Sequence, residues 1–300
     1  MLKKGGVCLC ILLFFSCLTP RFKTTGFLDG FIPQWRPFEQ GVDILAGVVA
    51  RPKLRFWAAR IDTSHPSLEI VVSPKEAVDG SFEANIVPAS SVSRFVERFD
   101  CVVGINATPF YPVSETEGEK RSVVGLTVSN GVVVSAPVAG YDALVFYADG
   151  ALAIENQGAM REATDGAICG ATRDVSAIWN AVGGFYAILK DGDLTERAVS
   201  ERGEKRHPRS AAGINGGILY LLVIDGRQLS SVGATEAETA LILQKLGAVD
   251  AINFDGGGST ALALRALDHG VSVTNTPVHG VLPGKERAVA SCLGVRKRQE

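Results

Sequence analysis

The sequence predicts an α+β fold: one β-rich domain with a mixed sheet, glycine-turn hairpins and a few packed helices. Three observations carry this. Four pairs, Asn130-Gly131, Asp149-Gly150, Asp191-Gly192 and Asn215-Gly216, each separate two apolar or alternating runs, the signature of hairpins whose turns need positive φ. Helical spacing of apolar residues is confined to two short stretches. No composition shift within the last 250 or so residues marks a second domain, a length ordinary for one large β-rich unit. The 300-residue chain is 46% hydrophobic and 21% charged, which excludes disorder, collagen and coiled coil.

In chain order, Lys3 and Lys4 precede an apolar run over residues 7–15, the layout of a signal peptide ending at Cys17. That run is too short to span a bilayer, which takes about 20 apolar residues. Leu13-Phe14-Phe15-Ser16-Cys17 also resembles a lipobox, so the expected location is exported, either periplasmic or lipid-anchored to the cell envelope. Membrane contact is expected only through that lipid. Residues 18–50 carry Pro, Gly and aromatics in no clear period and read as a tether and an irregular lead-in; the domain proper is 51–298.

Residues 54–61 and 68–72 favour strands, with His65-Pro66 between them as a turn. Val92, Phe95, Val96 and Phe99 share one helical face, predicting a helix over 91–99 that ends before a buried strand at 101–105. A charged loop at 114–121 leads into the four hairpins. Thr235 and Glu238 form a T-x-x-E capping box for a helix over 235–246, closed by Gly247. A strand at 251–254 then runs into Asp255-Gly256-Gly257-Gly258-Ser259-Thr260.

Charge and cysteine content narrow the chemistry. With 30 Lys+Arg against 32 Asp+Glu, no basic surface for nucleic acid is expected. Beyond Cys17 only Cys101, Cys169 and Cys292 remain, allowing at most one disulfide and no zinc ribbon. The four histidines, at 65, 207, 269 and 279, lack metal-ligand spacing. No cofactor is predicted; a divalent cation on Asp255 or Asp225 is left open.

Three constellations are candidates for function. Three glycines after a buried strand are entropically costly. They mark either a turn crowded by another backbone or a nest of N–H groups for an anion, with Asp255 as acid or base and Ser259 and Thr260 as donors. His207-Pro208-Arg209-Ser210 offers a guanidinium fork for phosphate or carboxylate, or else is a solvated charged loop. Asn106 to Tyr111 ends a strand with polar donors and then aromatics, suited to a sugar ring or to the core.

Taken together these segments resemble the phosphodiester glycosidase family over residues 55–296. The matching pieces are Gly104-Ile-Asn106 with Phe110-Tyr111, Gly183-Gly184-Phe185, His207-Pro-Arg209-Ser-Ala-Ala-Gly213, Asp225-Gly-Arg227, Thr235 with Glu238, Asn253-Phe-Asp-Gly-Gly-Gly-Ser-Thr260, Asn275-Thr-Pro277 and Arg287. The segment after Asn106 departs from the family pattern, being longer and without an acid. The resemblance implies hydrolysis of a sugar-1-phosphodiester, with an envelope glycan or glycolipid as the expected partner. A nest at Gly256, Gly257 and Gly258 with Arg209 would hold the phosphate. Asp255 would be base or nucleophile, Glu238 a second candidate or merely the capping partner of Thr235, and Asp225 a positioning group. Asn106, His207, Ser259 and Thr260 complete the expected substrate contacts.

Two rivals stand beside this reading. Gly257-Gly-Ser259 comes one residue short of a serine-hydrolase elbow, with Asp268, His269 and His279 following in order, but too little chain follows Ser259 for that fold. A non-catalytic exported domain that binds glycans or cell-wall polymers would use the same cleft without turnover.

Overall fold

A computed structural model describes residues 26–162, 168–169, 178–266, 270–280 and 283–298. The expected signal peptide, with Cys8, Cys10 and Cys17, and the residues Asp268 and His269 lie outside the described residues.

The β-rich α+β class is what the chain adopts. In place of one mixed sheet, the described strands divide among several sheets whose pairings are antiparallel. The largest has eight strands, in the order Arg36–Glu39, Val42–Val49, Leu54–Asp62, Ile218–Ile224, Arg209–Asn215, Asp250–Asn253, Tyr186–Lys190 and Asp193–Leu194. A second sheet orders Gly270–Val273, Leu262–Ala266, Cys101–Asn106, Cys292–Lys297 and Leu68–Val72. A third joins the middle hairpins, Val132–Ser135, Thr127–Ser129, Ile178–Gly183, Asp142–Tyr147 and Leu152–Asn156.

The core follows from strand alternation. Along Ile218–Ile224, Leu219, Leu221 and Val223 face inward onto Val103, Ile105, Leu262 and Leu293 of the second sheet. Tyr220, Leu222 and Ile224 face outward onto helix α2, Glu236–Leu246, through Ala240, Leu243 and Leu246. Helix α1, Val92–Arg98, covers the opposite outer face through Phe95 and Val96. Each helix approaches its sheet over a glycine: a Cβ on Gly213 would lie 3.3 Å from Leu243 Cδ2, and one on Gly104 2.6 Å from Val96 Cγ2. The molecule is thus layered helix, sheet, sheet, helix around one buried seam.

All four glycine pairs fall at hairpins, the last with Gly216-Gly217 as its loop after paired Asn215. In Asn130-Gly131 and Asp191-Gly192 both residues have positive φ, as the tightest turns demand. The capping box at Thr235 and Glu238 is present with both bonds, and Gly247 closes α2 at φ 119°.

The lead-in expected over 18–50 needs correction. Residues 36–49 are a hairpin that extends the large sheet, with Val42 packed beside Ile61 on its inner face and Leu45 beside Ala58 on its outer face. Cys101 and Cys292 are free and buried. They sit on neighbouring strands, but Cys101 pairs with Arg296, four positions from Cys292, about 13 Å along a strand and beyond disulfide reach.

Candidate active site

The strand Asp250–Asn253 leaves the large sheet, turns Phe254 into the core, and re-enters the second sheet as Leu262–Ala266. Residues 255–260 are therefore the crossing between the two sheets. Asn106, at the end of the adjacent central strand, pins that crossing. Its Nδ2 donates to the Asp255 carbonyl at 2.6 Å, and its Oδ1 accepts from Ser210 Oγ at 2.6 Å and from the Ala261 amide at 3.2 Å. Buried and with three side-chain hydrogen bonds made within the fold, Asn106 acts as a structural pin where the sequence led to the expectation of a substrate contact.

Each glycine of the loop makes room for something specific. A Cβ on Gly256 would meet the Pro208 carbonyl at 2.7 Å; one on Gly257, which has φ 62°, would lie 3.2 Å from Arg227 Nη2; one on Gly258 would come within 2.8 Å of Arg287 Cζ. Of the three glycine amides expected to form a nest, that of Gly257 donates to the Pro208 carbonyl at 2.9 Å and that of Gly256 to the Asp255 carboxyl, while the Ser259 and Thr260 amides close the turn onto the Gly256 and Gly257 carbonyls at 3.2 and 3.4 Å. Two guanidiniums packed over the glycines add positive charge.

Those guanidiniums are held alike. Arg287 donates from Nε to His279 Nδ1 at 3.1 Å and from Nη1 to Ser259 Oγ at 3.1 Å. Arg227 Nη2 lies 3.4 Å from His207 Nδ1. Among the described residues neither Arg has a carboxylate at salt-bridge distance. Both histidines are held below the usual imidazole range, by desolvation first and then by neighbouring cations, so they are neutral near pH 7 and leave the guanidinium charge standing.

Asp255 is the carboxyl of this cradle. Desolvation pushes it up to about 6, against the Ser259 hydroxyl, the charge of Arg287 and the Gly256 amide, which favour the anion. A carboxylate poised there is ionised at neutral pH and basic enough to accept a proton. Asp225, fully buried, accepts from the Thr276 amide at 2.9 Å and Asn275 Nδ2 at 3.3 Å, and Asn275 also reaches the Thr260 carbonyl at 3.0 Å. Desolvation raises the Asp225 carboxyl too, and its Oδ2 has no partner; the Thr260 hydroxyl is likewise buried without one. Among the described residues no cluster of three or more His, Cys, Asp or Glu side chains surrounds either aspartate.

Two expected catalytic residues are not here. Arg209 is buried and turned to the start of α2, donating to the Ala234 and Lys205 carbonyls at 3.0 and 2.8 Å and pairing with Glu236 at 3.3 Å. Its fork is spent on the fold. Glu238 completes the capping box and binds Arg206 through both oxygens, at 2.7 and 2.5 Å, so the alternative reading of it as Thr235's partner is the one observed. Ser259 is buried under Arg287, and His279 faces Arg287 instead of the Ser259 hydroxyl. After Asn106, Thr108 bonds the Gly183 amide at 3.0 Å and Phe110 packs on the core, while Tyr111 is exposed. Arg227 and Arg287 were quoted in the sequence pattern without a role. The signal for them was the lysine-free glycine loop, which leaves an anion without a cation.

A cavity of about 700 Å³ lies beside α1, between Ser73, Arg94, Arg98, Glu117 and Cys292, and shares no residue with this loop cluster.

One buried carboxyl, Asp255, thus stands beside two guanidiniums at the crossing of two antiparallel sheets, a cradle of mixed charge closed by three glycines. Residues 99–296 match the phosphodiester glycosidase family, and the chain belongs to it. It is 28% identical over 232 residues to the SPbeta prophage-derived uncharacterized protein YomE of Bacillus subtilis, covering 71% of this chain. The chain spans about a third of that relative's length, 32%. The fold is shared with the catalytic domain of zebrafish N-acetylglucosamine-1-phosphodiester alpha-N-acetylglucosaminidase, auto-inhibited by its pro-peptide, at TM-score 0.61 and 18% identity over 90% of both chains. It is also shared with a hypothetical protein from Synechocystis, at TM-score 0.57 and 15% identity over 90% of this chain and 64% of that one.

Proposed function

We propose that this protein hydrolyses a sugar-1-phosphodiester, breaking the bond between the anomeric carbon and the phosphate oxygen. The observation that carries the reading is the pair of guanidiniums, Arg227 and Arg287, that lie over Gly257 and Gly258 beside Asp255 with no carboxylate at salt-bridge distance among the described residues. A diester's single negative charge matches that cradle, and charge on the departing phosphomonoester grows as the bond breaks, so the same donors stabilise the transition state more than the ground state. A phosphate leaves without strong acid assistance, which lets one carboxylate serve where ordinary glycosidases use two. Asp255 takes that role, as base toward water or as nucleophile at the anomeric carbon. Ser259 and Arg287 aim it, and Asp225 holds the 275–276 segment in place.

The substrate class is a phosphodiester-linked envelope glycan or glycolipid, supported by the apolar N-terminal run that reads as an export signal. Location outside the cytoplasm, lipid-anchored or free, belongs to the same proposal. The test is incubation with a methyl diester of N-acetylglucosamine 1-phosphate and of glucose 1-phosphate. Release of reducing sugar together with methyl phosphate, lost in Arg287→Gln, supports the reading. Binding of the diesters without release would favour a glycan-binding module.

A further inference from the structure

Next to the cradle lies a second feature that the phosphate chemistry does not use. Asn253 and Tyr186 are direct cross-strand partners in the large sheet, so their side chains share one face. Asn253 stands two residues before Asp255, separated from it by Phe254, which is turned into the core. Asn253 is buried, and its Oδ1 has no hydrogen-bond partner among the described residues. Over the Tyr186 ring, at 3.6 Å from its centroid, sits the guanidinium of Arg197, whose Nε is buried and likewise without a partner among the described residues. Tyr141 stacks on Tyr186 at 6.3 Å and 6°, and Phe185 touches both rings at 6.0 and 6.2 Å. All three rings are partly exposed.

An orphaned acceptor and an orphaned donor flanking one aromatic ring ask for a group that both donates and accepts. A hydroxyl does so, and leaving such buried atoms unmet is costly. Aromatic surface beside them suits the apolar C–H face of a sugar ring, as one end of each ring stays wet. We propose that Asn253, Arg197, Tyr186, Phe185 and Tyr141 form the sugar subsite, in which one hydroxyl donates to Asn253 Oδ1 and accepts from Arg197 Nε. This rests on the hydrolase reading for its orientation, sugar here and phosphate at Arg227 and Arg287, but not for its existence.

The experiment is saturation-transfer NMR on the full chain with the methyl α-glycosides of glucose, galactose and N-acetylglucosamine, which carry no phosphate. At least one should bind the wild type, and Arg197→Lys, which keeps a cation over Tyr186 but removes the Nε donor, should bind it about tenfold more weakly. Affinity for inorganic phosphate, measured on the same samples, should stay within about twofold, which also reports an intact fold. Tyr186→Leu should behave as Arg197→Lys does. Binding of none of the three glycosides to the wild type overturns the proposal. So does wild-type glycoside affinity in Arg197→Lys, which would make the two orphaned atoms a water site. Glycoside binding that is sensitive to Arg197, in a protein that cleaves no diester, would leave the subsite standing and sink the hydrolase reading alone.

Discussion

Asp255 owes its chemistry to opposing terms: desolvation raises its carboxyl to about 6, while Ser259, Arg287 and the Gly256 amide limit the rise. Activity requires the anion, so kcat/KM should fall on an acid limb centred near pH 6, measured on a methyl sugar-1-phosphodiester. Stability runs the other way. A raised carboxyl means the folded state binds its proton more tightly than the unfolded chain, so this group's contribution declines as pH rises from the ordinary aspartate range through about 6. Asp255→Asn should therefore abolish turnover and leave the melting temperature at pH 7 equal or higher. Arg287 and Arg209 make the sharpest contrast. Arg287→Gln should cost about 10²–10³ in kcat/KM, the scale of losing a donor aimed at developing charge. Arg209→Ala should instead cost about 3–5 kcal/mol of stability, because it strands buried Glu236, as urea unfolding would show. The glycine loop and Asp255 were legible in the sequence. The exchange of Arg209 for Arg227 and Arg287 was not, since nothing near Arg209 in sequence reveals Glu236 and Ala234, 27 and 25 residues away, as its partners.

Among the elements, α2 is the one whose local rules are complete: capping box, buried face and glycine stop. Thr235→Ala should lower stability by about 1 kcal/mol with kcat unchanged, the ordinary worth of an N-cap. Glu238→Gln keeps an acceptor for the Thr235 amide and should cost less stability, again with kcat unchanged, which separates capping from catalysis at this residue. In the glycine loop the opposite holds. Gly258→Ala places a methyl against the Arg287 guanidinium and should depress activity far more than stability. Helices and glycine hairpins were legible because their signals are local, Thr235 to Glu238 or Asn130 to Gly131. The hairpin at 36–49 was not, because its order comes from pairing with 54–62 and from packing on Ile61 and Ala58, and its own alternation is weak.

At the scale of the molecule, two antiparallel sheets share one core, and the chain crosses between them at the residues of the proposed site. That crossing explains why the cradle draws on the ends of strands distant in sequence: Asn106, His207, Asp225, Asp255 and Arg287 meet only once both sheets are assembled. Which sheet a strand joins is fixed by contacts over hundreds of residues, beyond the reach of periodicity. It is also why a single mixed sheet was expected where several antiparallel ones exist. The most direct test of the central claim is hydrolysis in H₂¹⁸O of a methyl sugar-1-phosphodiester, with mass spectrometry of both products. Cleavage at the anomeric carbon predicts the label in the released sugar and none in methyl phosphate, with both products absent for Asp255→Asn. Label in the phosphate, or release undiminished without Asp255, would contradict it.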